Sequence, residues 1–224
     1  MAPDEPLALR SDAERNRARI LAAARKVLAA QGLGASMASI AREADVGIAT
    51  LFRRFPTKEE LVAAVFADRM ADYAEAATKG LEDEDPWRGL VGFIETACEL
   101  QAADSGFADV LTIAFPGSTE LKRQRATAYD TTARLLARAK ESGQLREDVT
   151  PEDLMLLHMA NAGVIAATRE HAADAWRRVI AQLIQSFQAP ARGQLPPAPS
   201  PSSLYRAMLD PRRRDWRSSD SRPE

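Results

Sequence analysis

The chain has 224 residues, 28% of them charged and 46% hydrophobic, with a formal net charge of -2. That is enough chain for one helical domain beside a smaller one, and the whole molecule is not a polycation. The single cysteine, Cys98, excludes an intrachain disulfide, and no apolar run approaches the ~20 residues that span a bilayer.

The first helical signal runs from Asp12 to Gln31. Ile20, Ala23, Ala24, Val27 and Leu28 form an i, i+3, i+4, i+7, i+8 stripe, and Gly32 follows as a natural helix terminator. Ser36 is placed to cap a second, short helix that buries Met37, Ile40, Ala41 and Ala44. A tight turn through Asp45 leads to a third helix. Leu51 and Phe55 face inward there, one turn apart, with Val46 anchoring the turn before them. Ile48, Ala49, Thr50, Phe52, Arg53 and Arg54 then face outward, a surface suited to a DNA major groove lined with phosphates. Pro56 stops this helix, and Thr57 with Glu60 forms a T-x-x-E capping box that starts another at Lys58.

The pieces ILAAARKVLAAQG, SIAREADVGIATLFRRF and PTKEEL resemble the TetR (TetR/AcrR) family of bacterial transcriptional regulators. The resemblance implies an all-α fold, with an N-terminal helix-turn-helix domain and a C-terminal helical domain for ligand binding and dimerisation. It also implies repression relieved by a ligand, with activation by the same fold as the alternative. The DNA-contacting set is expected to be Ser36, Ser39, Gly47, Ile48, Ala49, Thr50, Phe52, Arg53, Arg54 and Lys58. Three positions depart from the family pattern. Asp45 stands where glycine is usual, and aspartate tolerates left-handed backbone better than most residues. Gly47 replaces a capping serine or threonine. Phe52 replaces a tyrosine whose hydroxyl would reach a phosphate. These changes bear on affinity and sequence preference.

Charge placement agrees with DNA binding. Arg10, Arg15, Arg17, Arg19, Arg25, Lys26, Arg42, Arg53 and Arg54 outnumber Asp12, Glu14, Glu43 and Asp45 in the same region. A helical adaptor that binds protein in place of DNA would not need Arg53 and Arg54 outward beside Ile48 and Phe52.

Beyond Leu61, the residues Val65, Phe66 and Met70 extend the fourth helix toward Ala77. Asp85 caps a helix begun by Pro86, whose apolar face includes Leu90, Val91, Phe93, Ile94, Ala97 and Cys98. A short apolar helix runs from Ser105 to Phe115, and a longer one from Glu120 to Ser142 closes on Gly143. Thr150, Pro151 and Asp153 open the next, Leu154 to Ala167, which is apolar almost all round. With Ala172 to Phe187 it is expected to form a four-helix dimer bundle, using Ala162, Ile165, Trp176, Ile180, Leu183 and Ile184.

The resemblance places an effector pocket among these helices. Its candidate lining is Met70, Phe93, Phe107, Leu111, Phe115, Tyr129, Met155, His158 and Met159, and aromatic and methionine walls suit a lipophilic effector. His158 shares a helical face with Leu154, Asn161 and Ile165, which also suits a buried structural role. The proline- and serine-rich stretch after Gln188 reads as a disordered tail. Leu204, Met208 and Leu209 are spaced for one short docking helix within it, and Arg212, Arg213 and Arg214 form a basic cluster.

The expected organisation is a DNA-binding domain over 1–60, a regulatory domain over 61–189 and a tail over 190–224. The expected partners are a pseudo-palindromic double-stranded operator, a small effector and a second copy of the chain. No membrane, cofactor or metal partner is expected. Neither His158 nor His171 has a glutamate three residues before it, so no Glu-x-x-His di-iron motif exists and no catalytic residue is assigned. MAPDEPLALR lacks a signal-peptide layout, which makes a cytoplasmic protein the expectation.

Overall fold

The computed structural model describes residues 5–191 and 193–209, with side chains from residue 14 onward. Among the described residues the regular structure is eleven α-helices, apart from one isolated antiparallel bridge between Leu145 and Gln188. No described helix is long and apolar enough to cross a membrane.

Helix α1 (Glu5–Gln31) starts before the periodic stripe and buries all five of its apolar residues. Gly32 ends it at φ 69°, a left-handed conformation that glycine adopts without a Cβ clash. The Ser36 hydroxyl accepts the Ser39 N–H at 3.0 Å and opens α2 (Met37–Glu43). Asp45 takes up the turn at φ 51°, so aspartate does fill the position where the family favours glycine. Helix α3 (Ile48–Arg54) follows Gly47, which offers no side-chain cap. Leu51 and Phe55 pin it to α1 and α2 through the shared core. The Thr57 hydroxyl accepts the Glu60 N–H at 3.1 Å and opens α4 (Lys58–Val65).

The single long helix expected from Lys58 to Ala77 is divided. It breaks at Phe66 (φ -103°, ψ 11°), and α5 covers Ala67–Glu82. The break lets the Phe66 ring bury over Gly106, where an added Cβ would lie 2.5 Å from the ring edge.

Helix α6 (Pro86–Ala103) returns along α5 after the Asp85 carboxylate accepts the Trp87 and Arg88 N–H groups. Helix α7 (Ser105–Thr112) is shorter than its apolar run and is buried at every residue. Helices α8 (Thr119–Glu141), α9 (Pro151–Thr168) and α10 (Ala175–Phe187) complete the domain, with α9 packed along α7 and α10 set against α9 and α6. Thr150 and Asp153 form the full capping box that starts α9.

Two expectations change here. Ala162, Ile165, Trp176, Ile180 and Ile184 are buried inside this one chain, and Leu183 is half-buried. The five buried ones are core residues, because α9 packs against α6, α7 and α10, whereas Leu183 keeps an exposed edge. The tail is also more ordered than its composition implies. Helix α11 (Pro201–Leu209) folds back, with Leu204 and Met208 buried one turn apart. Its start uses Pro201 in the first turn, where a missing N–H costs nothing, and Ser200, whose hydroxyl accepts the Ser203 N–H at 3.2 Å. Arg212, Arg213 and Arg214 lie outside the described residues.

Candidate functional site: nucleic-acid interface and cavity

The outward face of α3 is built by its inward anchors. Leu51 is fully buried and Phe55 nearly so, which leaves Ile48 44% and Phe52 45% exposed on the opposite side. Arg53 and Arg54 are exposed beside them, and the Arg53 guanidinium donates to the Thr50 hydroxyl at 3.2 Å. That bond holds one cation along the helix axis while leaving its other donors free for phosphate or a base edge. Ala49 is exposed, and Gly47 is open on its Cβ side except for the Thr50 hydroxyl at 3.9 Å. Ser36 and Ser39 share a hydrogen bond at 2.9 Å at the start of α2.

Lys58 points differently. It is half-buried, and its ammonium donates to the Leu33 carbonyl, tying α4 to the turn after α1. Several counted cations are likewise engaged inside the domain. Arg25 donates to the Val65 carbonyl at 2.7 Å, Lys26 pairs with Glu43 at 2.6 Å, and Arg17 stacks 5.9 Å over the Phe55 ring. Arg10 and Asp12 lie outside the residues with described side chains. Exposed cations therefore stand on α3, at Arg42 of α2 and along α1 at Arg15, Arg17, Arg19, Arg25 and Lys26.

A cavity of about 480 Å³ lies between α5, α7, α8, α9 and α11. Met70, Leu111, Phe115, Tyr129, Met155 and His158 of the expected lining border it. Phe93, Phe107 and Met159 do not. Phe107 and Phe93 stand edge-on to Tyr73, at centroid separations of 6.5 and 5.2 Å, and so support the wall from behind. Phe93 instead borders a second, more polar depression between α5 and α6.

Wall residues that the sequence reading missed include Tyr73, Lys122, Arg125, Thr132, Glu152, Leu204, Tyr205 and Met208. A signal for the α8 group was present. Leu121, Arg125, Ala128, Tyr129 and Thr132 follow helical spacing, so an arginine stands in an otherwise uncharged line.

The polar groups of the wall are specific. His158 Nδ1 is 3.2 Å from Gln101 Oε1, which also accepts from Asn161 at 2.9 Å. Burial pushes the imidazole down to about 4, so it is neutral at pH 7. The Tyr129 hydroxyl donates to Glu152 at 3.1 Å. Arg125 Nη2 donates to the Val110 and Ile113 carbonyls at 3.3 and 2.8 Å, closing the carboxyl end of α7, and Nη1 lies 3.5 Å from Met208 Sδ.

A core-anchored helix-turn-helix joined to a helical domain with a half-open cavity defines a DNA-binding regulator. Residues 20–65 match the bacterial regulatory proteins of the tetR family, and residues 85–185 match the C-terminal domain described as transcriptional regulator SbtR-like. A TetR transcription regulatory protein from Mycobacterium vanbaalenii is 32% identical, covering 81% of this chain and 99% of that one, with a TM-score of 0.48. The chain belongs to the TetR family of transcriptional regulators. A TetR-family regulator from a Shewanella species shares the fold at 23% identity and a TM-score of 0.55, covering 78% of this chain and 98% of that one. FadR from Bacillus subtilis, solved in complex with stearoyl-CoA, shares it at 18% identity and a TM-score of 0.56, covering 75% and 98%. No curated protein matches the chain.

Proposed function

We propose that the protein is a homodimeric repressor that leaves a pseudo-palindromic operator when a small lipophilic effector enters the cavity. The observation that carries this is α3: a helix fixed by Leu51 and Phe55 whose free face presents Ile48, Phe52, Arg53 and Arg54. Two such helices must stand about one DNA turn apart, ~34–36 Å, to read two half-sites.

The dimer surface in this reading is the outer line of α9, one step round from the buried one. Leu156, Ala160, Gly163 and Ala167 are all exposed there at i, i+4, i+7, i+11 spacing. A Cβ on Gly163 would meet nothing within 4 Å, so a second helix can approach closely. Val179 and Leu183 of α10 are the half-exposed apolar residues that extend this surface.

The route from cavity to DNA runs through the break at Phe66 and not along one rigid helix. Met70 and Tyr73 of α5 and Val110 and Leu111 of α7 touch the cavity. Phe66 sits between those helices against Gly106, and Arg25 of α1 holds the Val65 carbonyl just before it. An effector that separates α5 from α7 displaces Phe66, and with it α4 and α1. The effector must bind the DNA-free state better, and DNA must weaken effector binding by the same factor.

Gel-shift titration on the promoter nearest the gene, with sedimentation of the free protein, tests the reading. A retarded complex containing two chains per operator is expected. A monomer that shifts no promoter fragment would refute it.

A further inference from the structure

We propose that the cavity takes an amphipathic anion, an apolar chain ending in an acidic head, and that Arg125 pairs with the head. The proposal rests on the reading of the cavity as the effector site and names the class of ligand.

Arg125 lies on the α8 line that forms the cavity wall, between Leu121 and Tyr129. Its polar contacts are all neutral: the Val110 and Ile113 carbonyls and the Met208 thioether. None of the ion pairs among the described residues includes it. A guanidinium offers five donors in a planar fork, and a thioether is a weak acceptor. Nη1 therefore faces a weak partner at the cavity wall.

Lys122 stands one turn earlier on the same face and is exposed, so this end of the cavity carries two cations. The two carboxylates of the wall do not answer them. Glu152 is buried in the first turn of α9 and accepts from Tyr129, and Asp130 is exposed on α8. Met70, Val110, Leu111, Phe115, Leu154 and Met155 supply an apolar remainder.

Arg125 has already lost much of its water to burial, which lowers its pKa. A carboxylate oxygen reaching Nη1 from the cavity, with the Met208 thioether turned aside, would recover charge-assisted hydrogen bonding that a neutral ligand cannot supply. Met208 belongs to α11, and its carbonyl accepts the Ala114 N–H at 2.9 Å. The head subsite thus lies at the seam between α8, the end of α7 and the C-terminal helix.

Calorimetric titration with decanoate and decan-1-ol, on the wild-type protein and on Arg125→Met, tests this. The ratio of the two affinities should shift about tenfold against decanoate in the variant. An unchanged ratio overturns the pairing and leaves the cavity reading standing. If Arg125→Met does not fold, decanoate and methyl decanoate on the wild-type protein decide. Pairing makes the acid about tenfold tighter or more, and equal affinities overturn it. If none of these ligands binds, the effector-cavity reading falls as well.

Discussion

Gly80 and Gly89 meet backbone to backbone where α5 and α6 cross. A Cβ built on Gly80 would lie 2.6 Å from the Gly89 carbonyl oxygen, and one built on Gly89 would lie closer still to the Gly80 carbonyl oxygen. No flexible side chain can give way there, so the helices must separate to admit a methyl group. Gly80→Ala and Gly89→Ala should each destabilise the protein by about 1–3 kcal/mol in urea unfolding. Gly92, on the open side of α6, has nothing within 4 Å of an added Cβ. Gly92→Ala should be neutral or stabilising by up to ~1 kcal/mol. Equal losses at all three positions would show that the close crossing does not matter.

The α3 face makes a prediction about DNA. Arg53→Ala and Arg54→Ala should each weaken operator binding. Loss of a phosphate contact should weaken all sequences alike and shallow the salt slope by about one unit, whereas loss of a base contact should cost ~1–3 kcal/mol at one position. Phe52 is 45% exposed, so Phe52→Tyr adds a hydroxyl without disturbing the core and should hold or raise affinity. Fluorescence anisotropy at several salt concentrations reads both effects. Unchanged binding in both arginine variants would remove α3 from the interface.

The parts of the fold legible in the sequence are those decided locally. The caps at Ser36, Thr57, Asp85 and Thr150 each use a side chain two or three residues from the N–H it satisfies. The inward pair Leu51 and Phe55 follows from helical spacing alone. What escaped depends on distant chain. The break at Phe66 answers to Gly106, forty residues away. In α9, Leu156 and Ile165 are equally apolar, yet one is exposed and the other buried. Hydropathy cannot say which face meets α6 and which faces outward. The wall residue Arg125 escaped because its neighbours Val110, Ile113 and Met208 come from two other segments. Helix α11 was legible as the spacing of Leu204 and Met208, but its proline- and serine-rich surroundings hid how firmly it docks.

That division on α9 gives a contrast between two kinds of variant. Ala160→Glu and Gly163→Glu add charge on the outer line and should dissociate the proposed homodimer while leaving each subunit folded. Ile165→Glu buries an unpaired charge and should unfold the subunit itself. Sedimentation with circular dichroism separates the outcomes. A dimer undisturbed by both outer-line variants would place the interface elsewhere.

His158 links stability to pH. Its neutral ring is buried against Gln101, and burial holds it at about 4, below the ordinary 6.5. The unfolded chain takes up a proton near pH 6.5 that the folded chain resists until about pH 4. Stability from this group is complete above that window and is lost as acid is added through it. By pH 5 the loss relative to pH 7 should be about 2 kcal/mol. His158→Gln keeps a donor for Gln101 and removes the titration, so its urea stability should change much less between pH 7 and pH 5. The same slope in variant and wild type would assign the acid sensitivity to other groups.

The C-terminal helix is held through the linker before it and along its own buried face. Arg146 makes a two-bond pair with Asp148 at 2.7 and 2.8 Å and donates to the Gly193 carbonyl at 2.6 Å, while Asp148 accepts the Leu195 N–H at 3.2 Å. Downstream, Leu204 and Met208 bury into the cavity wall. Each buried apolar side chain contributes about 1.5–3 kcal/mol at most, so the helix stays docked only while both are apolar. Leu204→Ser with Met208→Ser should free residues 201–209, seen as lost amide exchange protection there with α3 and α9 unaffected. Asp148→Asn should loosen the linker more mildly. The Asp148 carboxyl is lowered from 3.8 to about 2 by Arg146, so its tether is present above pH 3.8 and fades as pH falls toward 2. Continued protection of 201–209 in the double serine variant would mean that the Met208 carbonyl bond to Ala114 and the linker contacts suffice to hold α11 in place.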